Sequence, residues 1–166
     1  MVSDVMQGAG SGQDALSLRS EFLFQIVAEL DDPQNVGETP LGTRRILYMK
    51  RGSFAGPKLQ GEVLPGGGDW VLARQDGLSQ LDIRMTLRTV DGELIYVSCP
   101  GLLDMTPELR ARVMRGQSVD RDEYYFRTAP MFETAAKKYC WLNRLIAIGV
   151  GTRTSMGMMT DIFAIR

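Results

Sequence analysis

Apolar and polar residues alternate with a period of two over most of this chain, and that period belongs to β-strands. The first clear run places Phe22, Phe24, Ile26, Ala28 and Leu30 on one face and Leu23, Gln25, Val27 and Glu29 on the other. A loop through Pro33, Asn35, Gly37 and Pro40 ends it. The same grammar recurs at residues 43–49, 59–64, 70–74, 79–89, 93–99, 124–131, 142–149 and 156–165. Turn signals separate the runs. Asp76-Gly77 and Asp91-Gly92 predict hairpins, because both residue types tolerate positive φ. Gly66-Gly67-Gly68 also reads as a hairpin turn, since the strand-like run beginning at Asp69-Trp70 follows it and a phosphate loop would need a helix there. Together these signals predict an antiparallel meander through residues 59–99.

One segment carries helix signals. Thr106 suits the N-cap, Pro107 the first helical position, and Glu108 the positive end of the dipole. Leu109 and Val113 share a face, and Gly116 supplies a left-handed stop. A second short turn is expected over 134–138. Many short strands with one short helix predict an all-β fold, either a sandwich or an antiparallel up-and-down β-barrel of about eight to nine strands. The barrel is preferred because closure removes exposed edges, and a barrel of that size can hold one small ligand. Residues 1 to about 15, with Gly8, Gly10 and Gly12, read as a flexible tail, and residues 16–166 as a single barrel domain.

Composition narrows the function. The 166 residues carry a formal net charge of -1, which argues against nucleic-acid binding, and no apolar run is long enough for a membrane helix. No secretory signal is visible, so a cytoplasmic protein is expected. Histidine is absent, which removes His-based catalysis and the commonest metal ligand. Cys99 and Cys140 are too few for a zinc site or a disulfide framework, so neither a metal nor a cofactor is expected. Arginine outnumbers lysine by 15 to 4, a bias that suits anion recognition and that genome composition explains as easily.

The candidate chemistry lies in three places. In the run 81–88, Leu81, Ile83, Met85 and Leu87 form one face and Asp82, Arg84, Thr86 and Arg88 the other. The polar face either meets water or turns into a cavity, where Asp82 would act as a base and Arg84 would hold an anion; the alternation does not choose. Asp69 and Trp70 follow the glycine turn and would stand at the barrel rim, with Arg74 at the end of the same run. Finally, Glu133 lies among rings, with Tyr139 and Trp141 close in sequence. A carboxylate among rings would have a raised pKa and suit proton transfer. Asp82, Arg84, Glu133 and Tyr139 are therefore the catalytic candidates, and Asp69, Trp70, Arg74 and Trp141 the substrate-binding ones. Met156, Met158 and Met159 suit a core or a subunit interface.

The string GSFAGPKLQGEVLPGGGDW, followed by RQDG, LDIRMTLRTVDG and FETAAKKYCWLN, resembles the DUF3237 family, also called UPF0311, over roughly residues 18–166. The resemblance implies a compact, calycin-like antiparallel barrel that self-associates. Its matched glycines and Asp-Gly pairs are accounted for by turns; Asp69, Asp82, Arg84, Glu133, Tyr139 and Trp141 are not. Three functions follow for such a barrel. It is a cofactor-independent lyase, dehydratase or isomerase acting on a small aromatic or carbonyl-bearing molecule, a non-catalytic carrier or sensor of a small hydrophobic ligand, or a structural homo-oligomer with a filled interior.

Overall fold

The computed structural model describes residues 17–166, so the expected tail at residues 1–15 lies outside the described residues. The strands are β1 (Ser20–Leu30), β2 (Gln34–Thr39), β3 (Gly42–Ala55), β4 (Gln60–Val63), β5 (Gly68–Ala73), β6 (Ser79–Thr89), β7 (Leu94–Asp104), β8 (Tyr125–Thr128), β9 (Met131–Glu133), β10 (Ala147–Arg153) and β11 (Gly157–Ile165). One α-helix, α1 (Pro107–Met114), and 3-10 turns over Arg121–Glu123 and Lys137–Arg144 complete the set among the described residues. Every pairing is antiparallel. The ring β1-β3-β5-β6-β7-β8-β10-β11 returns to β1, giving the closed eight-stranded barrel that the alternation predicts.

Closure rests on β1 and β11, paired from Ser20↔Ile165 to Glu29↔Gly157. Both Asp-Gly hairpins form, with φ of 89° at Gly77 and 86° at Gly92. Helix α1 starts as its sequence dictates: the Leu109 N–H donates to Thr106 Oγ1 at 3.3 Å, and Pro107 occupies the first turn. Residues 34–39, expected as loop, pair with β3 instead and extend it as a ribbon outside the ring.

One turn signal and one expected strand come out differently. β4 and β5 do not pair with each other; both lie between β3 and β6, β4 against Gly52–Ala55 and β5 against Thr43–Tyr48. The segment around Gly66–Gly68 is therefore a jog that lets the chain continue in the same direction, not a hairpin. Glycine is required there by close approach, since a Cβ on Gly67 would lie 2.4 Å from the Arg84 carbonyl oxygen. Likewise the expected strand over 124–131 is two strands, β8 and β9, laid successively along β7 and separated at Ala129-Pro130. Proline lacks the N–H that a continuous ladder needs.

These paired half-strands divide the interior. At one end Phe24 packs edge-on against Phe54 and Phe132 at 5.6 and 5.8 Å, and Tyr139 and Leu142 of the 3-10 turn close the bottom. The other end, beneath α1, is hollow. No helix among the described residues is long and apolar enough to cross a membrane.

Phe24 is fully buried at the centre of the packed end. Phe24→Ala is expected to cost about 3–5 kcal/mol, read as a lower urea midpoint with an unchanged slope.

Candidate active site

The hollow end encloses a cavity of about 320 Å³. Inward-facing positions of several strands supply its apolar walls, among them Leu47, Val71, Leu81, Leu103 and Phe126, with Val113 of α1 above. Gly151 on β10 makes room for Phe126, because a Cβ there would come within 2.4 Å of the ring. Four charged side chains interrupt this apolar wall: Asp69 from β5, Arg45 from β3, Arg110 from α1 and Arg153 from β10. Asp31 and Asp32 stand at the exposed rim.

Asp69 is 5% exposed, the only charged residue among the described ones to be so deeply buried. A gap in the sheet holds it. β5 and β6 pair at Asp69↔Ile83 and again at Leu72↔Gln80, but not between. The Asp82 N–H, freed of a backbone partner in that gap, donates to Asp69 Oδ1 at 3.2 Å. Burial is the main cause that pushes the Asp69 carboxyl from 3.8 up to about 7; the Asp82 amide and the Arg153 charge pull it back, and the Asp82 charge adds to the rise. At neutral pH Asp69 is thus divided between acid and base forms. Arg153, half-buried, is pulled below its ordinary value by burial, and its own backbone N–H donates to Tyr124 Oη at 2.9 Å. Cys99, also buried, is pushed up to about 11, mainly by burial, which keeps it a neutral thiol and a poor nucleophile.

Of the eight residues singled out from sequence, Asp69 lines the cavity. The other seven do not meet it. Asp82 and Arg84 point outward and pair with each other, Arg84 Nε to Asp82 Oδ1 at 3.3 Å, because Leu81, Ile83 and Met85 take the interior. Trp70 faces outward against Tyr48, and its carbonyl accepts from Arg44 Nη1 at 2.6 Å. Arg74 is exposed and pairs with Asp76 within the hairpin turn. Glu133 is exposed on β9, while its neighbour Phe132 enters the core. Tyr139 is buried at the packed end, where its hydroxyl donates to Asp91 Oδ1 at 2.8 Å. That hydrogen bond, Lys138 and Thr89 hold the Asp91 carboxyl well below the usual range, with Lys138 the largest cause. Trp141 packs against the core from the side, under Lys58 Nζ at 5.6 Å. Met158 is core and Met156 lines the cavity mouth.

Sequence reasoning missed Arg45, Arg110 and Arg153. A signal was present for two of them. Arg45 shares a strand face with Leu47 and Met49, and Arg153 shares one with Ala147, Gly149 and Gly151. A cation that shares a strand face with buried apolar or small residues is a candidate for the barrel interior. No cluster of candidate metal-binding side chains occurs among the described residues.

A family model described as "Protein of unknown function (DUF3237)" matches residues 18–165. The chain belongs to the DUF3237 family. The UPF0311 protein RPA1785 of Rhodopseudomonas palustris is 33% identical over 146 residues, covering 88% of this chain and 95% of that one. The crystal structure of RPA1785 superposes with a TM-score of 0.84 at 31% identity, covering 90% of this chain and 99% of that one. A β-barrel-like protein of Acinetobacter baumannii gives 0.79 at 32% identity, over 90% and 97%. A structure described as an enzyme from Penicillium herquei gives 0.69 at 19% identity, over 96% and 100%, and shares the fold. In this member of the DUF3237 family the hollow end of the barrel carries Asp69 and the arginines.

Asp69 makes stability depend on pH. Its pKa is higher in the fold than in the unfolded chain, so its contribution is fully present below 3.8 and is lost as pH rises through about 7. Asp69→Asn keeps an oxygen for the Asp82 amide and should flatten that slope. The variant is expected to gain on the wild type by a few kcal/mol, at about 1.4 kcal/mol per pH unit, in urea melts taken at pH 4 and pH 8. By contrast Asp82→Asn should leave the unfolding midpoint unchanged, as befits an exposed pair.

Proposed function

We propose that this barrel is a cofactor-independent enzyme that moves a proton on a small, largely apolar, aromatic or carbonyl-bearing molecule, in the manner of a lyase, dehydratase or isomerase. One observation carries the reading: a buried carboxyl, which burial pushes up to about 7, stands on the wall of an apolar cavity beside an arginine. A general acid or base works best when its pKa lies near the working pH, because both of its forms are then available. In its ionised form Asp69 would take a proton from a carbon next to a carbonyl; in its acid form it would return one to the intermediate or to a departing hydroxyl. Arg153 would stabilise the enolate oxygen that develops, in a site where apolar walls strengthen its field. The enzyme from Penicillium herquei supports the view that a barrel of this shape accommodates catalysis. The chemistry assigned from sequence to Asp82 and Glu133 thereby passes to Asp69. Self-association belongs to the same proposal, supported by the exposed Tyr96, Tyr125 and Met131 on β7, β8 and β9.

A second reading, a carrier of a small hydrophobic ligand, is favoured by the apolar walls and needs no titrating group. Deuterium exchange separates the two. A panel of aryl ketones and 1,3-dicarbonyl compounds in D2O, followed by NMR, should include members whose carbon acids exchange faster with the protein present. That rate should rise with pH through about 7, as Asp69 ionises among Arg45, Arg110, Arg153 and the flanking Asp82 and Cys99. In Asp69→Asn it should fall by about 10²–10⁴. A panel with no accelerated exchange, or exchange that survives Asp69→Asn, overturns the enzyme reading in favour of the carrier.

A further inference from the structure

The chain pairs its arginines where pairing matters least. Arg51, Arg84, Arg88, Arg112, Arg121 and Arg166, on the outer surface, each hold a carboxylate within 3.3 Å. Exposed pairs of this kind add little to stability. The cavity shows the opposite arrangement. Arg45, Arg110 and Arg153 arrive there from three separate elements, and no guanidinium of the three forms a hydrogen bond or an ion pair with a described residue. An unpaired cation taken partly out of water is costly.

The arginines also oppose one another. Burial first, and then the Arg45 charge, pull Arg110 below its ordinary value; Arg110 in turn acts on Arg153. Asp69 offers a counter-charge to Arg153 but is itself held partly neutral by burial. Asp31 and Asp32, exposed at the rim, form no ion pair with any of the three. Among the described residues no side chain thus pairs with this positive field, while the walls of the cavity, Leu47, Val71, Leu81, Leu103 and Phe126, are apolar.

We propose that the cavity binds a carboxylic acid: an apolar, ring-bearing body lies against Phe126 and Leu81, and its carboxylate is held by Arg153 and Arg110 with Arg45 behind them. Guanidinium forks match a carboxylate in shape and charge, and Arg is the residue best suited to that task when partly buried. A bound carboxylate relieves the repulsion among the arginines and gives each a partner. Because Arg110 sits on α1, the same contact ties the helix down over the ligand. This inference rests on the proton-transfer reading for the choice of cavity and names the class of molecule that enters it.

The test compares acids with their own neutral analogues. Benzoate, phenylacetate and 3-phenylpropanoate are each titrated calorimetrically beside the corresponding primary amide, at 50 and 500 mM salt. At least one acid is expected to bind tenfold or more tightly than its amide at low salt, with the advantage shrinking at high salt. Arg153→Gln combined with Arg110→Gln should bring acid and amide to parity. Acids that bind no better than amides, or a preference that survives the double variant, overturn the proposal. Thermal unfolding without ligand guards against a merely structural role: removing mutually repelling cations should leave the midpoint equal or higher, and a fall of several degrees in each single variant would make the arginines part of the fold instead. Deuterium exchange keeps the two readings apart. Exchange that depends on Asp69 without acid preference retains proton transfer and rejects the acid; acid preference without exchange does the reverse.

Discussion

Everything in this protein depends on the sheet meeting itself. β1 and β11 come from opposite ends of the described chain, and their antiparallel ladder closes the ring. Until they pair, both strands present edges of unsatisfied N–H and C=O groups, and the inward face has no inside. Once they pair, alternation becomes a rule of location, with one face of each strand in the interior and the other outside. The buried carboxyl, the arginines and the phenylalanine cluster owe their environments to that closure.

The interior is used unevenly, and the unevenness has a physical basis. Large rings from β1, β3 and β9 meet at one end and leave no room. At the other end the inward positions of β5 and β10 hold Asp69, Val71 and Ala73, and Gly149, Gly151 and Arg153. Small side chains stand there beside charged ones, so space and electric field occur together. The lapse in pairing between β5 and β6 adds a spare backbone donor at the depth where a carboxylate needs one. A fold that spent every donor on its ladder would have made Asp69 harder to bury.

Much of this architecture can be read directly from the chain. The β6 run, 79–89, has the bounds that alternation predicts, and Thr106-Pro107 starts α1 as capping chemistry requires. Asp69, directly after the glycine turn, is legible as a candidate as well. What escaped is non-local. Alternation on β6 separates Asp82 and Arg84 from Leu81 and Ile83, but the side that faces inward is decided by partners far along the sequence. Gly66 and Pro130 announce that the chain changes course; whether it turns back or carries on is decided by β3, β6 and β7. Arg45 and Arg153 share their faces with apolar or small residues, so a search for polar faces passes over them. Tyr139 and Glu133 sit in a ring-rich stretch whose rings fill the core and whose polar atoms serve the closed end or water.

The jog between β4 and β5 has an evolutionary consequence. On one wall β4 serves the packed end and β5 the hollow end; on another, β9 and β8 divide the same labour along β7. The base and the mouth are therefore made of different pieces of chain, joined by a few glycines or a proline. Substitutions in β5, β8 or α1 reshape the chamber without touching the hydrogen bonds of β4 or β9. Such a barrel can be retuned toward new molecules at one end while heritable foldability is kept safe at the other.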